Sequence, residues 1–241
     1  IDAGKALSKA PLPDWVFNGP VAEAGGVHTA QGSWNPTKGE FQGRLQLPVY
    51  QRQHFPELLL GEAGPKFETA GSTIEENDAI RIWTLDEHVL IASIKTKMHA
   101  ISPDVADGLA LAVDMPEKDF QGVVVWSGDE PFSVGADLQA LLPAFMMVGV
   151  SAVEDAEGFL QQTMLKLRYA NVPVVSAVRG MALGGGCELA IHSARRVAAM
   201  ESYIGLVEVG VGLVPGAGGL TYIARRAAEN AATSTDKDIL K

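Results

Sequence analysis

VVSAVRGMALGGGCELAIHSARRVAAMESYIGLVEVGVGLVPGAGG, residues 174–219, carries the strongest structural signals in this chain. Its first five residues are apolar and β-rich and predict a strand, and residues 187–197 predict a helix directly after the glycine turn 184–186. Such a turn points free backbone N–H groups and a positive helix end at one spot. Two acids, Glu188 and Glu208, lie in otherwise apolar or glycine-rich surroundings. The combination predicts an oxyanion stabilised beside acid/base carboxylates.

Upstream of this stretch, short apolar runs alternate with helical patterns. Residues 80–85 and 88–95 predict two strands of a hairpin, and residues 122–126 predict a strand covered on both faces. Ser102 is suited to cap a helix that begins with a proline, and residues 154–169 predict another helix. This alternation predicts an α/β fold with βαβ units and a mainly parallel sheet. Ligands of such folds bind at the carboxyl ends of the strands.

Composition excludes several classes of function. The chain has 241 residues, 47% of them hydrophobic, and a formal net charge of −10, which argues against nucleic-acid binding because clustered Lys and Arg are lacking. The single cysteine, Cys187, excludes an intrachain disulfide framework and fits a reducing compartment, with the cytoplasm as the default location. No apolar run reaches the roughly 18 residues that a membrane span needs. Neither a metal-binding His/Cys cluster nor a dinucleotide-binding glycine motif occurs.

The first 75 residues differ in composition from the rest of the chain. They hold seven of the 13 prolines, so long regular elements are not expected there. Their aromatic side chains predict packing on a neighbour rather than disorder; these are Trp15, Phe17, Trp34, Phe41, Tyr50 and Phe55. We interpret residues 1–75 as an irregular connecting or docking segment, and residues 76–241 as the main domain.

Three linked motifs identify a family. FSVGADL (residues 132–138), GMALGGGCELA (180–190) and GLVEVGVGLVPGAGG (205–219) resemble, in this order and spacing, the enoyl-CoA hydratase/isomerase (crotonase) superfamily. The resemblance implies a crotonase-like (ClpP/crotonase) ββα spiral, C-terminally truncated because the family's last helices are missing, with an irregular N-terminal leader.

The resemblance also implies the catalytic residues. The two oxyanion-hole N–H groups of the family fall on Ala136 and Gly185, and its paired hydratase glutamates fall on Glu188 and Glu208. Gly216 matches a glycine beside the catalytic water. Without the resemblance, a glycine turn before a helix more often reflects tight packing, and Glu188 could be a first-turn acid favoured by the helix dipole.

Substrate-binding residues follow from the same resemblance. Lys97, Met98 and Ala100 are expected near the CoA nucleotide, although a pair of solvated lysines at a strand end explains that segment equally well. Asp137, Leu138 and Gly184 are also expected to contact substrate. The acyl pocket is expected to draw on apolar side chains that follow the first motif: Leu138, Leu141, Leu142 and residues 145–147. Cys187 and His192 are interpreted as structural.

Three functional readings stay open at this point. The first is an enoyl-CoA hydratase domain of a multifunctional fatty acid oxidation protein, the second a Δ3,Δ2-enoyl-CoA isomerase, and the third a non-catalytic acyl-CoA-binding or docking domain. No cofactor is expected in this chain, because CoA is part of the substrate. NAD would belong to a 3-hydroxyacyl-CoA dehydrogenase domain upstream in the same polypeptide. A homo-oligomer is a further expected partner, whereas nucleic acid and a membrane span are not.

Overall fold

The computed structural model describes residues 11–43, 45, 47–48, 69–115 and 120–233. It divides the chain into two compact units, Ile1–Thr69 and Ala70–Lys241. The second unit therefore starts six residues earlier than the sequence predicts. The reason is that the strand Ser72–Glu76, which straddles the predicted boundary at residue 75, pairs with the main sheet of the second unit.

The described residues of the first unit form only short regular elements. A 3-10 turn (Asp14–Val16) and the one-turn helix α1 (Pro20–Glu23) precede an antiparallel meander of three strands, which are β1 (His28–Thr29), β2 (Gly32–Asn35) and β3 (Glu40–Gln42). Trp34 packs edge-on against Phe41 with ring centroids 5.3 Å apart, and the Trp15 ring lies 6.3 Å from that of Trp34. Trp15, Trp34 and Phe41 thus form a cluster, whereas Phe17 is exposed. Tyr50 and Phe55 lie outside the described residues.

A six-stranded sheet organises the second unit. Its strands follow the order β10-β8-β7-β6-β5-β4, in which β4, β5 and β6 are antiparallel and β6, β7, β8 and β10 run parallel. The bounds are β4 (Ser72–Glu76), β5 (Ile80–Thr84), β6 (Val89–Ile94), β7 (Gly122–Val125), β8 (Val174–Val178) and β10 (Arg195–Ala198). The predicted hairpin is confirmed as β5 and β6, whose burial on both faces matches their apolar composition.

Helices cover this sheet. They are α2 (Pro103–Asp114), α3 (Leu138–Val148), α4 (Val150–Arg168), α5 (Gly185–His192) and α6 (Gly219–Thr233). The predicted cap of α2 is confirmed, since the Ser102 hydroxyl accepts a hydrogen bond from the Val105 N–H. Val105 and Leu109, one turn apart on α2, are fully buried in the core.

One predicted element is wrong. Residues 187–197 do not form a single helix, because α5 ends at His192 and Arg195–Ala198 becomes β10, parallel to β8. The chain turns at Ser193, whose backbone is extended and whose hydroxyl lies 2.7 Å from that of Ser176 on β8. The open edge of β8 offers backbone partners that a continued helix would leave unpaired.

A small second sheet carries the glycine turn. Strands β9 (Met181–Leu183) and β11 (Tyr203–Gly205) run parallel, and the Gly184 N–H donates to the Gly205 carbonyl at 2.9 Å. A 3-10 turn, Glu208–Val211, follows β11. This arrangement holds the start of α5 and the Glu208 turn side by side, close to the end of β9.

Candidate active site

The FSVGADL segment is not a strand but a loop that lies against β9 and the glycine turn. The Ser133 N–H donates to the Met181 carbonyl at 3.1 Å, and the Leu183 N–H donates to the Ser133 carbonyl at 2.9 Å. Gly135 has a φ of +94°, and a Cβ added there would lie 2.7 Å from the Gly185 nitrogen. Glycine is therefore required both for the backbone conformation and for the contact between the two loops.

Two backbone N–H groups meet at this contact. Gly185 is the first residue of α5, so its N–H has no partner within the helix. Ala136 forms an isolated parallel bridge with Ile101, made by the Ile101 N–H to the Gly135 carbonyl at 2.7 Å and the Asp137 N–H to the Ile101 carbonyl at 3.1 Å. This bridge leaves the Ala136 N–H out of the pairing. An oxyanion hole requires two such donors, and the positive end of α5 lies behind one of them; their role as an oxyanion hole stays a prediction.

Glu188 lies one turn into α5 and is 2% exposed. Its Oε1 accepts a hydrogen bond from the Gly219 N–H at 2.8 Å, at the start of α6. Burial raises the pKa of this carboxyl above its usual value, and the Glu208 charge raises it further, while the N–H groups of Gly219 and Ala217 act in the opposite direction. Glu188 is therefore held in a fixed orientation and binds its proton more tightly than an exposed glutamate.

Glu208 begins the 3-10 turn and faces the glycine turn. A Cβ added to Gly184 would lie 3.2 Å from its Oε1. Its Oε2 is buried and, within the described part of the chain, accepts no hydrogen bond. A buried carboxylate oxygen without a partner is costly, and it occurs where a substrate or a water molecule is to be bound.

A cavity of about 220 Å³ brings the predicted catalytic residues together. Ala136, Gly185, Glu188 and Glu208 all line it, as do three of the predicted substrate-binding residues, Leu138, Gly184 and Gly216. The remaining lining residues are apolar except for one further acid, Glu157. No Lys, Arg or His occurs among the described residues that line it, so the ionisable side chains of its described lining are all carboxyls.

Sequence reasoning missed Glu157. It lies on α4, and its carboxylate packs against the Cα of Gly216, where any side chain would collide with it. One turn further along, the Gln161 Nε2 donates to the Gly216 carbonyl at 2.5 Å. Val153, Ala156 and Leu160 line the cavity together with Glu157, so the acid occupies an inward-facing position of the helix. The sequence signal that could have identified Glu157 is an acid at a helix position where the amphipathic pattern calls for an apolar residue.

The predicted CoA-binding residues lie elsewhere. Lys97 and Met98 belong to a 3-10 turn, Lys97–His99, in which Met98 has a φ of 57°. This turn runs beside the FSVGADL loop, since the Val134 N–H donates to the Met98 carbonyl at 3.3 Å. Lys97, Met98 and Ala100 are not among the described residues that line the cavity. Their role in binding CoA stays a prediction.

Asp137 lines a neighbouring cavity of about 220 Å³. Its Oδ1 accepts hydrogen bonds from the N–H groups of Gln139 and Ala140 and so caps α3. The two cavities share four lining residues: Ala136, Leu141, Ala156 and Leu160. The cavity that contains the carboxylates therefore adjoins, at Ala136, a second cavity with a mostly apolar lining.

The predicted acyl pocket is only partly formed by the expected residues. Leu138 and Leu141 line the cavity, but Leu142 and residues 145–147 do not, and Met147 is 86% exposed. The expectation for these residues is wrong in this structure because α3 turns them away from the cavity. Val207, Val211, Leu213 and Val214, around the Glu208 turn, supply apolar lining instead.

Cys187 and His192 are buried on α5. Burial raises the pKa of the Cys187 thiol to about 11, so the thiolate needed for nucleophilic chemistry is absent at neutral pH. His192 Nδ1 lies 2.7 Å from the Glu188 carbonyl, and its ring lies 5.8 Å from that of Tyr222. Both residues act in packing.

Two features are absent from the described ranges. No group of three or more His, Cys, Asp or Glu side chains there is arranged to hold a metal ion. No helix in those ranges is long and apolar enough to cross a membrane.

Comparison with known proteins places this chain in a family. Residues 89–235 match the family model described as enoyl-CoA hydratase/isomerase. A protein of Rickettsia felis, named as a trifunctional enzyme of the fatty acid oxidation complex, is 40% identical over 146 residues, which is 61% of this chain and 20% of that protein. Crotonyl-CoA hydratase of Syntrophomonas wolfei is 38% identical over 143 residues, which is 57% of this chain and 52% of the relative.

A solved structure of an enoyl-CoA hydratase has a similar fold. The crystal structure of enoyl-CoA hydratase from Bacillus anthracis superimposes with a TM-score of 0.54 at 28% identity, covering 61% of this chain and 57% of the other. The chain spans about a fifth of the Rickettsia relative and about half of the Syntrophomonas one. Since the family model matches well over half of its residues, this chain belongs to the enoyl-CoA hydratase/isomerase family.

Proposed function

We propose that this chain is an enoyl-CoA hydratase domain that adds water to a 2-trans-enoyl-CoA and forms the 3-hydroxyacyl-CoA. The observation that carries the proposal is the cavity in which the N–H groups of Ala136 and Gly185 share one space with the carboxyls of Glu188 and Glu208. Family membership and the relatives named as hydratases support it. The presence of two carboxylates favours hydration over double-bond migration, which mainly needs one.

The oxyanion hole lowers the barrier for attack on the double bond. When water adds at C3, negative charge builds up on the thioester oxygen, and two preorganised N–H donors stabilise that charge. Loss of one such donor typically costs about 3 kcal/mol, or 10²- to 10³-fold in rate. Because Gly185 has no side chain and begins a helix, a thioester can approach its N–H closely with the helix dipole in a favourable direction.

The two glutamates accept one proton and donate one proton in the reaction. One carboxylate accepts a proton from water as the oxygen bonds to C3, and the other, protonated, delivers a proton to C2. The pair therefore ends the reaction with as many protons as it held at the start. Burial of Glu188 and its repulsion by Glu208 both favour retention of one proton on the pair at neutral pH.

The rest of the protein is also part of this proposal. We assign the chain to the hydratase part of a multifunctional fatty acid oxidation protein with a 3-hydroxyacyl-CoA dehydrogenase domain upstream, in line with the Rickettsia relative named as trifunctional. The hydratase itself needs no cofactor, and NAD would serve only the dehydrogenase. The lone cysteine fits a reducing compartment such as the cytoplasm.

Hydration of crotonyl-CoA, followed by loss of the enoyl-thioester absorbance, tests the proposal. Glu188→Gln and Glu208→Gln are each expected to lower kcat by about 10²- to 10⁴-fold, because glutamine keeps the volume but cannot transfer the proton. Acyl-CoA binding is expected to survive. The double variant is expected to be little worse than the worse single one, since groups that act as a unit are not additive.

Glu154→Gln is the matched control, because Glu154 is an exposed glutamate that does not line the cavity. It is expected to keep full activity. An isomerase would give a different pattern, in which Glu208→Gln abolishes migration of the double bond and Glu188→Gln spares it. Near-normal hydration by Glu188→Gln, in a protein of unchanged stability, would refute the paired-carboxylate mechanism.

A further inference from the structure

Glu157 is the third carboxylate of the cavity, and none of the three linked motifs contains it. It is the only side chain of α4 with a charge among the described residues of the cavity lining, which it shares with Glu188 and Glu208. It also lines an adjoining open cleft of about 560 Å³, on the other side of Gly216. The Glu157 carboxylate is therefore at the point where the cavity and the cleft meet.

We propose that Glu157 is a positioning residue of this active site, which supports the Gly216 turn beneath Glu188 and adds a negative charge that retains the catalytic proton on the Glu188 and Glu208 pair. The inference rests on the proposed hydratase function and deepens it. It concerns a residue that acts through the pair and not on the substrate itself.

The first step of the argument is the contact with Gly216. The carboxylate of Glu157 and the amide of Gln161, one turn apart on α4, both contact Gly216, the former at its Cα and the latter at its carbonyl. The following residues of the same turn hold Glu188, because the Gly219 N–H donates to its Oε1 at 2.8 Å. One face of α4 thus supports the segment that orients a catalytic carboxyl. A Cβ added to Gly216 would meet the Glu157 carboxylate, which lies at the end of a flexible side chain and would have to shift.

The second step is electrostatic. Three carboxyls line one apolar cavity whose described lining holds no cation. Such groups cannot all be ionised without large repulsion in a medium less polarisable than water. The Glu157 charge acts on Glu188 in the same direction as that of Glu208 and favours its protonated form. Glu157 is exposed, and its charge acts on Glu188 less strongly than that of Glu208 does.

Other ionisable groups lie on α5 and on the elements packed against it. From its own helix they are Cys187 and His192, from α4 Arg168, from β10 Arg196, and from α6 Tyr222 and Arg225. His192 bonds to the Glu188 carbonyl and not to its carboxyl, and Arg168 lies over the Tyr222 ring at 4.9 Å. Arg225 is paired with Glu229 at 2.9 Å, and Arg196 donates to backbone carbonyls. Glu208 and Glu157 are thus the charges that act on the Glu188 carboxyl from other elements.

The pH profile of crotonyl-CoA hydration by Glu157→Gln tests this inference in the intact protein. Glutamine keeps the contact with Gly216 and removes the charge, so the pair gives up its proton more easily. Both limbs of the kcat/KM profile are expected to move to lower pH by about 0.5 to 1 unit, which is a loss of about 3- to 10-fold on the alkaline limb. Glu154→Gln, on the same helix but outside the cavity, is expected to leave both limbs in place.

Further measurements distinguish a failure of the Glu157 inference from a failure of the proposed hydratase function. Glu157→Ala removes the same charge and must give the same direction of shift, and thermal unfolding checks that each variant is folded. Unchanged limbs in both variants, or an equal shift in Glu154→Gln, would overturn the inference. If the wild-type protein fails to hydrate crotonyl-CoA, the proposed function falls. Infrared titration of the protonated Glu188 carboxyl, identified by its loss in Glu188→Gln, still tests the inference: its midpoint must fall when Glu157 is replaced.

Discussion

Replacing Gly135 by alanine tests the oxyanion hole directly. Gly135 has a φ of +94°, and its added Cβ would lie 2.7 Å from the Gly185 nitrogen and 2.9 Å from the Leu183 carbonyl oxygen. Real Cβ atoms essentially never come within 3.0 Å of such atoms. Because both neighbours are backbone atoms held in β9 and α5, the FSVGADL loop and the glycine turn have to move apart.

The expected loss of kcat follows from the narrow range of distances over which an N–H donor stabilises the oxyanion. An oxyanion hole requires both N–H groups about 2.7–3.1 Å from the oxygen, so a separation of several tenths of an ångström removes one donor. We expect kcat to fall by about 10²- to 10³-fold, or about 3 kcal/mol of transition-state stabilisation. The positive φ alone costs about 1 to 3 kcal/mol of folding stability in a residue with a Cβ.

Gly149→Ala is the matched control. Gly149 has a φ of +86°, but a Cβ there meets nothing within 4 Å, and the residue does not line the cavity. Both variants are expected to lose stability in thermal unfolding, whereas only Gly135→Ala is expected to lose turnover of crotonyl-CoA. Equal kcat values for the two variants, with both proteins folded, would contradict the assignment of the oxyanion hole to the contact of these loops.

Two further predictions concern ionisation. Because burial raises the pKa of Glu188 above 4.5, the folded state holds a proton that the unfolded state releases above that pH. The free energy of unfolding is therefore expected to decline as pH rises from about 4.5 through the folded pKa. Urea unfolding of Glu188→Gln should show a flatter decline with pH. Cys187, with a pKa of about 11, is expected to resist iodoacetamide in the native protein at pH 8, and Cys187→Ser to keep hydration; rapid labelling of folded protein would argue against a buried thiol.

Local patterns in the sequence were sufficient for the elements whose stabilising contacts are themselves local. The hairpin of β5 and β6 follows from two apolar runs joined by a short turn, and the start of α2 follows from Ser102 next to a proline, which supplies the cap within the same turn. Through the family resemblance, the linked motifs also predicted the four catalytic candidates that line the cavity, whose roles remain proposals.

Only the tertiary structure decided the features that depend on distant partners. Helix α5 ends at His192 because the edge of β8, a strand earlier in the chain, pairs with Arg195–Ala198. Residues 145–147 were expected in the acyl pocket, yet the direction of α3 turns them outward.

The entry of Glu157 into the cavity has the same cause. Nothing in the helical sequence of α4 shows which glycine its carboxylate will meet, because Gly216 is brought there by the turn before α6. The contact of Gly135 with Gly185 is likewise made by pairing between the FSVGADL loop and β9. Periodicity and capping act over a few neighbouring residues, so a sequence alone predicts elements and motifs. Which side chains share a cavity is decided by packing between segments far apart in the chain.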